Sequence, residues 1–246
     1  ATLAGPSTGS STGAVRCVRP FTGADAPPDT PVLEPLEPPD PALLERFNAS
    51  LEDPIKPLCD GVGGQSHLDC RDPVTYVIGT EPRAHLFMPW LDGIGGGYIG
   101  VASDQNYSQA AIAQTRWLWL RDYDPKVGSA HRMNGAFIRA SETPRDFVDW
   151  YRPSRRQEAQ DFIVEQLGDD ELAALALRNL RVWGDRLPAH YQAGLDAPVG
   201  KEGIDGRFVP AGVPECGWLR NADHYAHIRT LWLQGRVRAV KGDMLG

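Results

Sequence analysis

The residues of this chain best suited to chemistry are a glycine turn and the acids downstream of it. Gly95-Gly96-Gly97-Tyr98-Ile99-Gly100-Val101-Ala102-Ser103-Asp104-Gln105-Asn106 leads from a glycine cluster through a short apolar stretch into a polar one. Trp117-Leu118-Trp119-Leu120-Arg121-Asp122 then ends on a carboxylate. A turn at Gly100 lets a ligand approach the backbone, and a helix starting near Asn106 presents unpaired N–H groups beside it. Asp122, with Asp124 as its near competitor, is placed to accept hydrogen bonds from two ribose hydroxyls. Asp243, at the end of a later apolar run, is placed to accept from an adenine amino group. Strand, glycine turn, helix, strand and acid is an order of parts that commonly holds nucleotide-type cofactors. Plain chain reversals and helix caps use the same residue types. The full G-x-G-x-x-G pattern is absent, since Ala102 stands where a second glycine belongs, and this weakens a pyrophosphate ligand in particular.

Other residues offer less. Ser103-Asp104 and His131 contain the parts of a nucleophilic hydrolase, but no Gly-x-Ser-x-Gly elbow exists. His224 and His227 are three apart on a predicted helix beside Asp223, which suits a metal pair without a third ligand; solvent-facing histidines are the simpler reading. The seven tryptophans include candidates for a stacking platform, although core and rim packing accounts for most. Cys59 and Cys70 bracket a polar loop that a disulfide would close. His67 between them gives Cys-x7-His-x2-Cys, so a disulfide, free thiols and a metal site all stay open, with Cys17 and Cys216 as further partners.

The elements that position the turn are legible from periodicity. Asp40 and the apolar face of Leu43, Leu44 and Phe47 predict a short helix over 41–51. Val74 to Ile78, and Ala84 to Trp90, read as strands, as do Tyr98 to Ala102 and Val237 to Lys241. Trp117 to Leu120, continuously apolar, reads as a strand covered on both faces. Helices are expected from Asn106 to Ala113, from Lys126 to Ala140, after Thr143-Pro144-Arg145-Asp146, from Ser154 to Leu167, and over 170–180. A last helix is capped by Asn221 and closed by Gly235. The stretch from Trp183 to Cys216, rich in glycine, proline and charge, reads as an extended surface excursion. Strands alternating with helices predict a parallel α/β sheet with a helical insertion over about 141–216.

Composition sets outer bounds. A net charge of −7 argues against a nucleic-acid or anionic-membrane surface. No apolar run approaches the roughly 20 residues that span a bilayer. Nine of the 21 prolines fall in residues 1–41, so 1–40 reads as a Pro/Ser/Gly-rich extension ahead of a domain over 41–246. Such an extension, with a candidate disulfide, favours a periplasmic or secreted protein over a cytoplasmic one.

Tyr98-Ile99-Gly100-Val101-Ala102-Ser103-Asp104-Gln105-Asn106-Tyr107 resembles the glycine motif of a little-characterised bacterial family related to class I S-adenosylmethionine-dependent methyltransferases. In that family an apolar strand enters Gly-Val-Gly-Pro-Glu-Gln-Asn, followed by an Ala-rich helix and a strand ending in Asp. The likeness extends over Tyr98–Tyr151 and Gly217–Asp243. It implies a Rossmann-like, methyltransferase-type sheet and S-adenosylmethionine as cofactor. Gly100 would then hold the cofactor's amino-acid end, Asp122 the ribose and Asp243 the adenine, while Asp104, Gln105 and Asn106 line the pocket. Ala102 and Ser103 depart from the family's Gly-Pro. His131 is the general-base candidate for a methyl acceptor that must lose a proton, and the acceptor itself, small molecule or protein, is unspecified. A methyltransferase-type sheet has seven strands and only about three of its core strands are found here, so a second chain or a further segment is expected to complete it. The competing expectation is an exported, non-catalytic binding or structural module on the same fold.

Overall fold

Alternating burial along one strand sets the architecture. In the computed structural model, which describes residues 35–49, 77–78, 88–122, 124–168, 171–182, 184–196 and 217–242, Trp117–Asp122 (β2) buries Leu118, Leu120 and Asp122 and leaves Trp117, Trp119 and Arg121 half-buried. It is the middle of a three-stranded parallel sheet, between Gly97–Gly100 (β1) and Val237–Lys241 (β3). Gly100 pairs with Leu120 and Asp122 with Lys241, so the three carboxyl ends lie level with one another. Predicted and observed bounds of β3 agree; β1 starts one residue early and ends before Val101. The four cysteines, His67, Asp243 and the predicted strand residues 74–76 lie outside the described residues.

One face of the sheet carries the core. Gln105–Ile112 (α3) connects β1 to β2, and Pro125–Ala140 (α4) begins the long connection to β3, which ends with Ala222–Leu233 (α9). The α4 helix packs on β2, β3 and α9, and α9 packs on α3. Tyr107, Ala110, Leu118, Leu120, Met133, Phe137, Tyr225, Ile228 and Leu231 are sealed between them. A second helical layer follows: Pro144–Asp149 (α5), Arg156–Leu167 (α6), Glu171–Val182 (α7) and Arg186–Asp196 (α8). Its junction with α4 is aromatic, with Trp150, Phe137 and Phe162 in mutual contact and Arg155 lying 4.2 Å over the Trp150 ring.

The opposite face is crossed by a strap, residues 35–49, whose helix Pro41–Asn48 (α1) is capped by Asp40 accepting from Ala42 N and Leu43 N. Phe47 inserts between Trp117 and Trp119, at 4.8 and 4.6 Å. Side chains of the sheet end donate to the strap's carbonyls: Gln234 to Leu36 (3.1 Å), Arg236 to Glu37 and Arg238 to Asn48.

Local signals explain most boundaries. The Thr143/Asp146 capping box forms with both reciprocal bonds, and Asn221 accepts from Asp223 N and His224 N. Three expectations are corrected. Met88–Leu91 (α2) is a helical turn where a strand was expected, consistent with Pro89 entering a first turn that needs no donor from it. Residues 186–196 form a helix in the predicted excursion, with Leu187 and Tyr191 buried; Pro188 sits in its first turn, where proline is tolerated, and Gly194 gives room to Leu219. His224 and His227 are not solvent-facing: His224 is buried, and His227 Nε2 reaches the Thr115 carbonyl at 3.0 Å. Burial holds the His227 pKa down at about 4. No group of three metal-ligating side chains occurs among the described residues, nor does a helix long and apolar enough to cross a membrane.

Candidate functional site

At the carboxyl edge of the sheet the chain turns sharply after Gly100. Ala102 takes the left-handed region, at φ 68°, a conformation that is strained for a residue with a Cβ. The turn is held there by side chains from three elements. Asp122 Oδ2 accepts from Ala102 N (3.0 Å) while its Oδ1 accepts from Asp124 N (2.9 Å). Asn106, inside α3 and not capping it, donates from Nδ2 to the carbonyls of Val101 (2.9 Å) and Ser103 (2.8 Å). Its Oδ1 accepts from Tyr98 OH at 3.0 Å.

His131 supplies the third hold. Its Nε2 lies 2.7 Å from the Ala102 carbonyl, and its Nδ1 3.0 Å from Tyr107 OH. A carbonyl only accepts, so Nε2 carries the proton and Nδ1 of the neutral ring accepts from the phenol. Burial lowers the His131 pKa, opposed by the Ala102 carbonyl and the Asp104 charge; the ring is neutral near pH 7.

Asp104, sealed at the start of α3, makes no capping bond with its side chain. Oδ2 meets His190 Nε2 of α8 at 2.9 Å. Burial by itself raises the Asp104 pKa, but the charge and hydrogen bond of His190, with a smaller contribution from His131, hold it below the ordinary carboxylate value. Beneath the turn lies a polar cluster in the core. Tyr151 OH donates to Asn134 Oδ1, and Asn134 Nδ2 donates to Tyr191 OH (2.9 Å). Burial pushes Tyr107, Tyr151 and Tyr191 well above the ordinary phenol value, with mutual repulsion and the Asp104 charge adding to it. These phenols are uncharged hydrogen-bonding groups.

The structure thus brings Gly100, Asp104, Asn106, Asp122 and His131 together, with part-exposed Gln105 opening α3. Gly242, whose N–H donates to the Asp122 carbonyl at 2.9 Å, brings the chain to the same edge just before Asp243, which lies outside the described residues. The glycine at 100 has a specific cause: a Cβ there would stand 2.2 Å from Asn106 Oδ1 and 2.7 Å from Tyr98 Cε1. Its hollow is filled by the chain's own asparagine. The Gly100 hollow and one lone pair of each Asp122 oxygen are thus taken up by the chain's own groups. His190, Tyr107, Asn134, Tyr151 and Tyr191 belong to the site but escape the sequence reading. The spacing of Leu187, Tyr191 and Leu195, one helical face, was the signal that would have placed His190 on an ordered helix.

Fold and site together define an α/β domain with a small parallel sheet and a polar turn tied down at its carboxyl edge. A family model described as Domain of unknown function (DUF7790) matches residues 76–246, and the chain belongs to that family. No curated protein matches it.

Proposed function

We propose that this chain is a binding or structural module on a methyltransferase-like, Rossmann-type α/β scaffold, and not a methyl-transferring enzyme. The observation that carries this reading is the filled turn. Most of the groups assigned to a nucleoside cofactor are engaged by the protein itself: Gly100 by Asn106, Asp104 by His190, Asp122 by two backbone N–H groups, and His131 by Tyr107 and Ala102, while Ser103 Oγ, buried in the turn, has no hydrogen-bond partner among the described residues. Buried polar groups with complete partners stabilise a fold, whereas a ligand site keeps some of them uncommitted. His131 is here a positioning residue for the turn. Export agrees with the composition of residues 1–40. A partner chain completing the sheet would pair along β1, one of its two outer strands among the described residues, where Ile99 is 55% exposed.

A second reading, S-adenosylmethionine binding at this edge, is favoured by the convergence of Gly100, Asp104, Gln105, Asn106 and Asp122 at the carboxyl ends of parallel strands, where open α/β sheets receive ligands. Calorimetric titration with S-adenosylmethionine and S-adenosylhomocysteine separates the two, with Asp122→Ala as control. Silence at about millimolar ligand supports the first reading. Saturable binding by wild type, weakened in the variant, overturns it and establishes the second.

A further inference from the structure

The turn after β1 is gripped a fourth time, and this grip differs in kind. Asp122, Asn106 and His131 all hold backbone atoms of the turn from elements of the sheet layer and its first helices. The fourth contact joins two side chains across layers: Asp104 at the start of α3, and His190 on α8 in the outer helical layer, 2.9 Å apart. The Asp104 side chain is 9% exposed and that of His190 24%, so one partner is sealed and the other reaches solvent. Asp104 stands at the N-cap position of α3 and yet gives its carboxylate to α8 and not to the helix's own N–H groups.

We propose that the His190–Asp104 contact is a pH-responsive latch by which α8 grips the β1–α3 turn, closed while the imidazole is protonated and loosened when it is neutral. Charge-assisted hydrogen bonds are roughly twice as strong as neutral ones, so losing the imidazole proton weakens the grip without removing it. Among the described residues, the titratable groups that face the pair keep one charge state near neutral pH. On α4, His131 faces the pair and is held neutral by burial. Tyr107 on α3, Tyr151 beyond α5 and Tyr191 beside His190 have pKa values pushed well up by burial. Arg186, one turn earlier on α8, keeps its charge throughout. Other contacts of α8 carry no charge, among them Asn134 to Tyr191, Tyr191 against Phe147, and Gly194 against Leu219. The latch needs no nucleoside at this edge and stands apart from either reading of it.

The test is hydrogen exchange of segments 101–108 and 186–196, corrected for the intrinsic pH dependence of exchange. It is followed from about pH 5.5 to about 8.5 beside the NMR titration of His190. The latch requires both segments to lose protection together, roughly fivefold, at the His190 midpoint. His190→Gln, which keeps a donor but does not titrate in this range, should flatten that step. Protection that stays level through the His190 titration of the wild type overturns the proposal. A step of unchanged size in H190Q does so as well.

Discussion

Replacing Gly100 by alanine tests whether the glycine serves the protein's own turn. An added Cβ would lie 2.2 Å from Asn106 Oδ1, 2.5 Å from its Cγ and 2.7 Å from Tyr98 Cε1, so the asparagine side chain must leave. Three hydrogen bonds go with it: to the Val101 carbonyl, to the Ser103 carbonyl, and from Tyr98 OH. At about 1 kcal/mol each, the expected loss is about 3 kcal/mol. For a domain of this size that lowers Tm by about 6 to 12 °C. Urea denaturation read by tryptophan fluorescence measures it, in wild type, G100A, N106A and the double variant. In the N106A background only the approach to Tyr98 Cε1 at 2.7 Å remains, so G100A should cost less there than in wild type, a coupling of about 1–2 kcal/mol. An equal cost in both backgrounds, or a G100A protein as stable as wild type, would refute the reasoning that Asn106 is why residue 100 is glycine.

Two glycines of α4 form a matched pair. At Gly135 a Cβ would press on the Trp232 ring at 2.5 Å, whereas at Gly128 nothing lies within 4 Å. Gly135→Ala should therefore destabilise by about 1–3 kcal/mol through overpacking, and Gly128→Ala should stabilise by up to about 1 kcal/mol through helix propensity; thermal melts of the two variants give the signs directly. His227, pKa about 4 in the folded chain against about 6.5 unfolded, binds its proton more readily in the unfolded state. Its contribution is intact above about 6.5 and is lost as pH falls toward 4, so wild-type Tm should drop across that window and His227→Gln should drop less. Asp122→Asn, keeping shape but losing charge, should weaken the holds on Ala102 N and Asp124 N and cost about 1–3 kcal/mol in the same denaturation assay.

Local chemistry made much of the fold legible. Asp40, Thr143 and Asn221 cap helices as their positions announce, because a cap is decided within four residues. The β2 segment was harder: Trp117-Leu118-Trp119-Leu120 is uniformly apolar, yet its faces differ. Leu118 and Leu120 enter the core, while the tryptophans lie on the other face and meet Phe47 of the strap, with Arg236 over the Trp117 ring. Periodicity cannot distinguish a face covered by a helical layer from one covered by a single helix. Composition misled at α8, since glycine and proline dominate the stretch around it while burial is decided by Leu187 and Tyr191. At the candidate site, the residues Gly100, Asp104, Asn106, Asp122 and His131 were visible as a set, but their partners were not. Asn106 reaching back five residues, and His190 arriving from 86 residues away, are consequences of tertiary packing. The sequence alone showed polar residues beside a glycine; which of them faced a ligand and which faced each other was a question of geometry.

The strap across the outer face carries a consequence of its own. Gln234, Arg236 and Arg238 recognise it through the carbonyls of Leu36, Glu37 and Asn48, atoms that every residue type supplies. Phe47, wedged between two indoles, is read by its side chain, with smaller apolar contacts from Leu36 and Leu44. Side-chain identity in this segment therefore counts at a few apolar positions, Phe47 foremost, and the main-chain contacts place no demand on the rest. The strap is bound as a peptide would be bound, by its main chain and a few apolar anchors.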